Sequence, residues 1–220
     1  MAIIESGDSA DTVRVSSAFK ALHVTQYPAT KDLLGAYSLS VVSGVMAAGL
    51  AANSEIFQFR WTEASKLMVP RRITVSGGGI TAFTAGFGKY ELILARGWTV
   101  DGTGGTAILF TGADTQKKRA TFAATVAPSN LGVRIASTAA LGAGTKTLDT
   151  NAFAGQGFGV TATAGASLGG VGADLWLRDT GDEYPIVLAA NEGLVVRATV
   201  PATGTWTFSV TVEWAEFSSY

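Results

Sequence analysis

The stretch that most constrains the fold is Thr205–Glu216, where apolar and polar residues alternate as far as Trp214. Trp206, Phe208, Val210, Val212 and Trp214 fall on one parity, and Thr205, Thr207, Ser209, Thr211 and Glu213 on the other. In an extended chain successive side chains point to opposite faces, so this pattern predicts a half-buried strand. A helix would scatter the same apolar set around its circumference. At about 3.3 Å per residue the strand would run roughly 40 Å. Each of its five apolar side chains would contribute ~1.5–3 kcal/mol on burial.

The same period of two recurs along the chain. Leu194–Val200 is rich in β-branched residues and is joined to the C-terminal strand by Pro201-Ala-Thr-Gly204, a turn with Pro at its entry and Gly at its exit. Upstream, the apolar run Pro185–Ala190 ends at the turn signal Asn191-Glu-Gly193. The C-terminal region therefore predicts three consecutive strands in an antiparallel meander or part of a Greek key. Ser54–Thr62 sets Phe57, Phe59 and Trp61 against Ile56, Gln58, Arg60 and Thr62. Leu67–Ser76 sets Ile73 and Val75 against Arg72, Thr74 and Ser76, with Pro70 marking an edge, a bulge or a break. Phe87–Val100 is a long candidate with Tyr90, Leu92 and Leu94 on one face, followed by the turn Asp101–Gly105 and by Ala107–Phe110. Weaker strands are expected at Val133–Ser137, Phe158–Thr163 and Asp174–Leu177. Helix signals are confined to a turn or two near Ser17–Leu22 and Thr115–Thr125.

About ten short strands with Gly-rich turns predict an all-β chain: a single antiparallel β-sandwich domain over residues 1–220, of the jelly-roll type. Residues 1–22 have weak periodicity and read as an N-terminal arm or an edge strand. The Ala/Gly/Thr-rich stretch from about 138 to 173 reads as long loops with weak strands between them. Gly77-Gly-Gly79 and Gly102-Thr-Gly-Gly105 both read as turns. Neither carries the Lys-Ser/Thr of a phosphate-binding loop.

Composition narrows the chemistry. Gly supplies 27 of 220 residues, well above the usual proportion of about 7%, yet shows no three-residue collagen period. Charged residues make up 15%, Cys is absent and His occurs once. Disulfide scaffolds, thiolate metal sites and cysteine nucleophiles are thereby excluded. The net charge of −1 gives no overall field for nucleic acid or anionic lipid. Leu33–Ser54 and Thr150–Ala173 carry no charge, but their Ser, Asn, Gln and Gly content argues against membrane spans. The first residues lack the basic and apolar regions of a secretory signal, so a soluble protein made and used without export is expected.

No constellation stands out as catalytic. His23 has no identifiable partner and reads as structural or interfacial. Asp174, Asp179, Asp182 and Glu183 form the densest acidic cluster; oxygen-rich loops suit Ca²⁺, but Arg178 sits inside it and a solvated turn is the expectation. A carboxylate pair for glycoside hydrolysis drawn from these or from Glu91, Glu213 and Glu216 would be arbitrary. Lys117-Lys118-Arg119 and Arg71-Arg72 read as solvated turns or subunit salt bridges. Phe57, Phe59, Trp61, Trp98, Trp206, Phe208 and Trp214 would suit sugar stacking, but their parity places them in the core. No catalytic, cofactor-binding or metal residues are assigned, and no small-molecule ligand is expected. Loops built of Gly, Ala, Thr and Ser suit instead a surface packed against other subunits, because small side chains lose little entropy on docking.

The segment Leu188–Glu216 resembles the C-terminal end of a group of tailed-phage and prophage proteins. Tyr27-Pro-Ala-Thr-Lys-Asp-Leu-Leu-Gly-Ala-Tyr37, Phe57-Gln-Phe-Arg-Trp61 and Ala143-Gly-Thr-Lys-Thr-Leu-Asp149 are similar as well. The resemblance implies a virion structural role and supplies no functional residues to carry over. The major capsid fold of such phages needs a long spine helix, which no segment here would make. A jelly-roll chain of this size resembles capsid decoration (cement) proteins, which sit on the outside of the head, often as trimers. The expectation is a non-enzymatic decoration protein, made in the bacterial cytoplasm. Its partners would be the major capsid protein and copies of itself, with neither nucleic acid nor membrane bound. The alternatives are a carbohydrate- or receptor-binding module of a tail fibre or spike, and a small β-sandwich hydrolase.

Overall fold

Twelve strands follow one another among the described residues: β1 (Leu33–Val42), β2 (Ser54–Trp61), β3 (Leu67–Gly79), β4 (Gly86–Val100), β5 (Thr106–Ala107), β6 (Val133–Ile135), β7 (Thr145–Leu148), β8 (Ala154–Val160), β9 (Ser167–Leu168), β10 (Asp174–Leu177), β11 (Glu192–Thr199) and β12 (Trp206–Phe217). The computed structural model describes residues 33–47, 50, 52–110, 116–125, 127, 132–169, 174–178 and 185–219. These contain no helix, and Gln116–Thr125 is turn and coil rather than helical. All belong to one compact unit. The arm or edge strand expected over residues 1–22, the helical turn at 17–22 and His23 lie outside the described residues.

The strands form two antiparallel sheets packed as a sandwich. One has the order β1-β12-β3-β10, with β9 also on β3; the other has the order β5-β6-β2-β11-β4-β7, with β8 also on β4. Both contribute to one core, as the alternation predicts. Trp206, Phe208, Val210, Val212 and Trp214 of β12 are buried against Ile56, Phe57, Phe59 and Trp61 of β2 and Leu194 and Val196 of β11. Trp214 is the hub. It stacks on Tyr37 at 5.5 Å between ring centres and meets Phe59 and Phe110 edge-on at 5.4 and 6.0 Å.

Several expectations are corrected. The three C-terminal strands are not a meander. Pro185–Ala190 makes only an isolated bridge, Leu188 to Met68. β11 lies between β2 and β4 and β12 between β1 and β3, so Pro201–Gly204 carries the chain from one sheet to the other. Burial explains the placement: Leu194, Val195 and Val196 are all buried, which requires cover on both faces of β11. Gly77–Gly79 is not a turn but the end of β3, paired with Trp206–Phe208. A Cβ at Gly77 would lie 2.5 Å from the Tyr90 hydroxyl oxygen, so glycine there makes room for a buried aromatic. Arg71-Arg72 lies within β3 rather than in a turn. Pro70 marks a bulge, because the register with β12 shifts between Glu213 and Trp214.

Two further residues break the period of two. Ile56 is buried in the same core as Phe57, because the β2–β11 register shifts between Val196 and Arg197 and leaves Ile56 unpaired. Trp98 shares parity with Tyr90 and Leu92 but packs in a separate cluster with Ile93, Ala95 and Val195, on the outward face of the seven-stranded sheet. Gly97, at φ +57°, reverses the parity just before it. The long 138–173 stretch contains β7, β8 and β9, and β8 lines up along the first half of β4.

Candidate functional site

The densest buried polar cluster lies where β2 turns its polar parity away from the core. Phe57, Phe59 and Trp61 face inward, so Gln58 and Arg60 face outward, and the bulge at Ile56 puts Glu55 beside Gln58. In most half-open sheets such residues would meet solvent. Here the segments after β4 and before β7 lie across them: Leu141 N–H donates to the Glu55 carbonyl at 2.9 Å, and Gly142 N–H to the Thr103 carbonyl at 2.9 Å.

Beneath this cover Lys146 Nζ donates to Glu55 Oε2 at 2.8 Å, with side-chain exposures of only 1% and 9%. Gln58 Nε2 donates to the same Oε2 at 2.5 Å and to the Gly142 carbonyl at 3.0 Å. Two acceptors around that nitrogen fix the orientation of the amide. They leave Gln58 Oε1 buried with no hydrogen-bond partner. Lys146 Nζ also donates to the Ala143 carbonyl and stands 4.5 Å from the centre of a Trp98 ring, a cation–π contact. Trp98 is itself pinned by its Nε1–H to the Val100 carbonyl at 3.0 Å. Further ion pairs stand on the same sheet: Arg60 with Asp101 at 2.8 Å, Lys89 with Glu91 at 2.8 Å, and Arg197 with Glu91 at 3.5 Å.

Among the described residues, the acids singled out in the sequence are not brought together. Asp174 pairs with Arg72 at 2.5 Å on the five-stranded sheet, while Asp179, Asp182 and Glu183 lie outside the described residues. Glu91 faces outward on the seven-stranded sheet. Glu213 faces outward on the other sheet and pairs with Lys118. Glu216 is buried, accepting from Trp214 Nε1–H at 3.1 Å and from the Thr125 hydroxyl. Burial, and then the charge of Glu216, push the Tyr37 phenol up to about 12; that phenol donates to the Ala123 carbonyl at 3.0 Å. Burial alone raises Tyr90. Among the described residues, no three His, Asp or Glu side chains converge as a metal site would require.

The aromatics weighed as sugar platforms are all buried: six in the main core and Trp98 in the outer cluster. Among the described residues the exposed aromatics are instead Phe87 at 66% and Phe153 at 52%, the latter edge-on to Trp176 at 6.3 Å. Of the basic runs, Lys118 and Arg72 make ion pairs within the chain.

Glu55, Gln58 and Lys146 were not distinguished by sequence reasoning. Gln58 sits on a polar parity that reads as solvent-facing. Lys146 lies 91 residues from Glu55 in a small-residue stretch, so no local spacing links them. Compared with known proteins, the chain matches no family model and no curated relative.

Proposed function

We propose that this chain is a non-enzymatic structural protein of a phage virion. In the sharper form of this reading, it is a decoration protein that binds the outside of the head, as a homotrimer, and bridges copies of the major capsid protein. The observation that carries the reading is the strand order. β1-β12-β3-β10 in one sheet and β2-β11-β4-β8 in the other form the order expected of two Greek keys wound into a jelly roll, an architecture used by capsid proteins and lectins. The resemblance of Leu188–Glu216 to tailed-phage proteins selects the virion among these uses. The outward face of the five-stranded sheet also suits docking. Ser40 and Thr211 hydroxyls bond at 3.0 Å and Ser76 and Ser209 at 2.8 Å, which makes a patch of short neutral side chains with little entropy to lose, beside the Arg72–Asp174 and Lys118–Glu213 pairs.

The test is location and effect. Heads purified from infected cells should contain the protein, gold-labelled antibody should mark their outer surface, and heads assembled without it should lose resistance to heat. Its absence from purified heads would overturn the reading. A glycan-binding module of a tail fibre is the second reading, supported by the exposed Phe87 and by Phe153 beside Trp176. It predicts calorimetric binding of a host glycan that is abolished by Phe153→Ala.

A further inference from the structure

The Glu55–Gln58–Lys146 cluster has the composition and contacts of a self-acylating site. We propose that Lys146 and Gln58 form an intramolecular isopeptide bond, with Glu55 carrying the proton between them. An amine, a carboxamide and a carboxylate meet at a single oxygen: Glu55 Oε2 accepts from Lys146 Nζ at 2.8 Å and from Gln58 Nε2 at 2.5 Å. The nucleophile and the leaving nitrogen are therefore neighbours, held by the group that can serve both. Lys146 Nζ is fixed from the side by the Trp98 ring at 4.5 Å, so it has little freedom to leave.

The reaction balances without an added reagent. Lys146 Nζ gives a proton to Glu55 and its lone pair attacks Gln58 Cδ, forming the Nζ–Cδ bond while the carbonyl electrons move to Oε1. As the carbonyl re-forms, the Cδ–Nε2 bond breaks. Glu55 passes its proton to Nε2, then takes the second proton that the attacking nitrogen must lose and hands it on. Nε2 thus leaves as ammonium, and a neutral secondary amide remains. Glu55 ends as it began, acting as general base and then general acid. Glu55 itself is a poorer electrophile, because as the carboxylate partner of Lys146 it carries a negative charge that repels an incoming lone pair. Two features favour closure. The site excludes water, which would compete for an activated carbonyl. It also holds the reactants together, which replaces an encounter with a local displacement. Gly102 packs so closely on Gln58 Oε1 that a Cβ there would collide with it, which holds the carboxamide in place.

Such a bond would tie β2 to β7 and would lock the cover over the outward face of the seven-stranded sheet. The inference is independent of the virion reading. Intact-mass spectrometry of the purified, denatured full chain should find it lighter than its sequence mass by one ammonia. Peptide mapping should recover a branched peptide joining Lys146 to Gln58. Lys146→Arg and Glu55→Gln should each restore the sequence mass, and wild type should migrate faster than either on a denaturing gel. A wild-type mass equal to that of the sequence after prolonged incubation of the folded protein would overturn the proposal. So would loss of one water with linkage to Glu55, or loss of ammonia mapped to any other residue.

Discussion

The outward faces of the two sheets are built on opposite plans. On the five-stranded sheet the outward parity is Ser, Thr and a few charges at partial exposure, joined by hydroxyl pairs such as Thr211 to Ser40. On the seven-stranded sheet the outward parity carries Glu55, Gln58, Ile93, Val195 and Trp98, and loops cover it. The first face is finished mostly by water, apart from the end where Val69, Ala215 and Phe217 are buried together, and the second by protein. An ion pair or a hydroxyl therefore differs in worth between the two faces, because removing a partner from a dry site strands the other group whereas water repairs an open one.

The sharpest way to break this contrast is to delete a lysine from each face. Lys146→Ala leaves Glu55 buried without its cation and should cost about 3–5 kcal/mol. Lys118→Ala removes the partner of Glu213 from a pair exposed by 39% and 25%, and should cost at most ~1 kcal/mol. Denaturant titration of both variants measures the difference, and equal losses would erase the distinction between the faces. Gly77→Ala, at the inner surface between the sheets, should cost about 1–3 kcal/mol by forcing a Cβ against Tyr90. Adding Tyr90→Phe should recover much of that loss, because the Tyr90 hydroxyl has no hydrogen-bond partner.

Alkaline titration sharpens the same inner surface. The Tyr37 phenol ionises at about 12 in the fold against an ordinary 10.0, so the folded state binds its proton more tightly than the unfolded one. That contribution is whole below the unfolded value and is lost as pH rises from there through about 12. The urea midpoint should fall over that range in wild type and fall less in Tyr37→Phe. The smallest effect is expected on the open face, where Thr211→Val should change stability by no more than ~0.5 kcal/mol.

The same contrast explains what could be read from the sequence. The alternation of β12 was legible because its outer side meets water, so polarity and direction agree residue by residue. In β2 and β11 both sides are covered and polarity no longer reports direction. Gln58 thus read as solvent-facing although it is buried, and Leu194, Val195 and Val196 gave no hint of which sheet they joined. Trp98 was assigned by parity to the wrong layer because one left-handed glycine, Gly97, intervenes. The Gly77–Gly79 run imitated a turn, although Gly77 answers to the bulk of Tyr90 and Gly79 to that of Phe83. The Glu55–Gln58–Lys146 cluster is joined only through tertiary contacts, and no local pattern encodes them.

The placement of β11 and β12 has a consequence for how the chain acquires its shape. Each is the interior strand of a different sheet, inserted between neighbours that come much earlier: β2 and β4 for one, β1 and β3 for the other. Until these last two strands are synthesised, β1 and β3 have nothing between them, and neither do β2 and β4. On a ribosome, most of the chain would wait with open strand edges for the segment that closes both sheets at once. Pairings this distant in sequence make for slow folding and a long exposure to misassembly. A chain cut short before Glu192 would lack the central strand of each sheet, so it should fail as a whole rather than lose one edge of the sandwich.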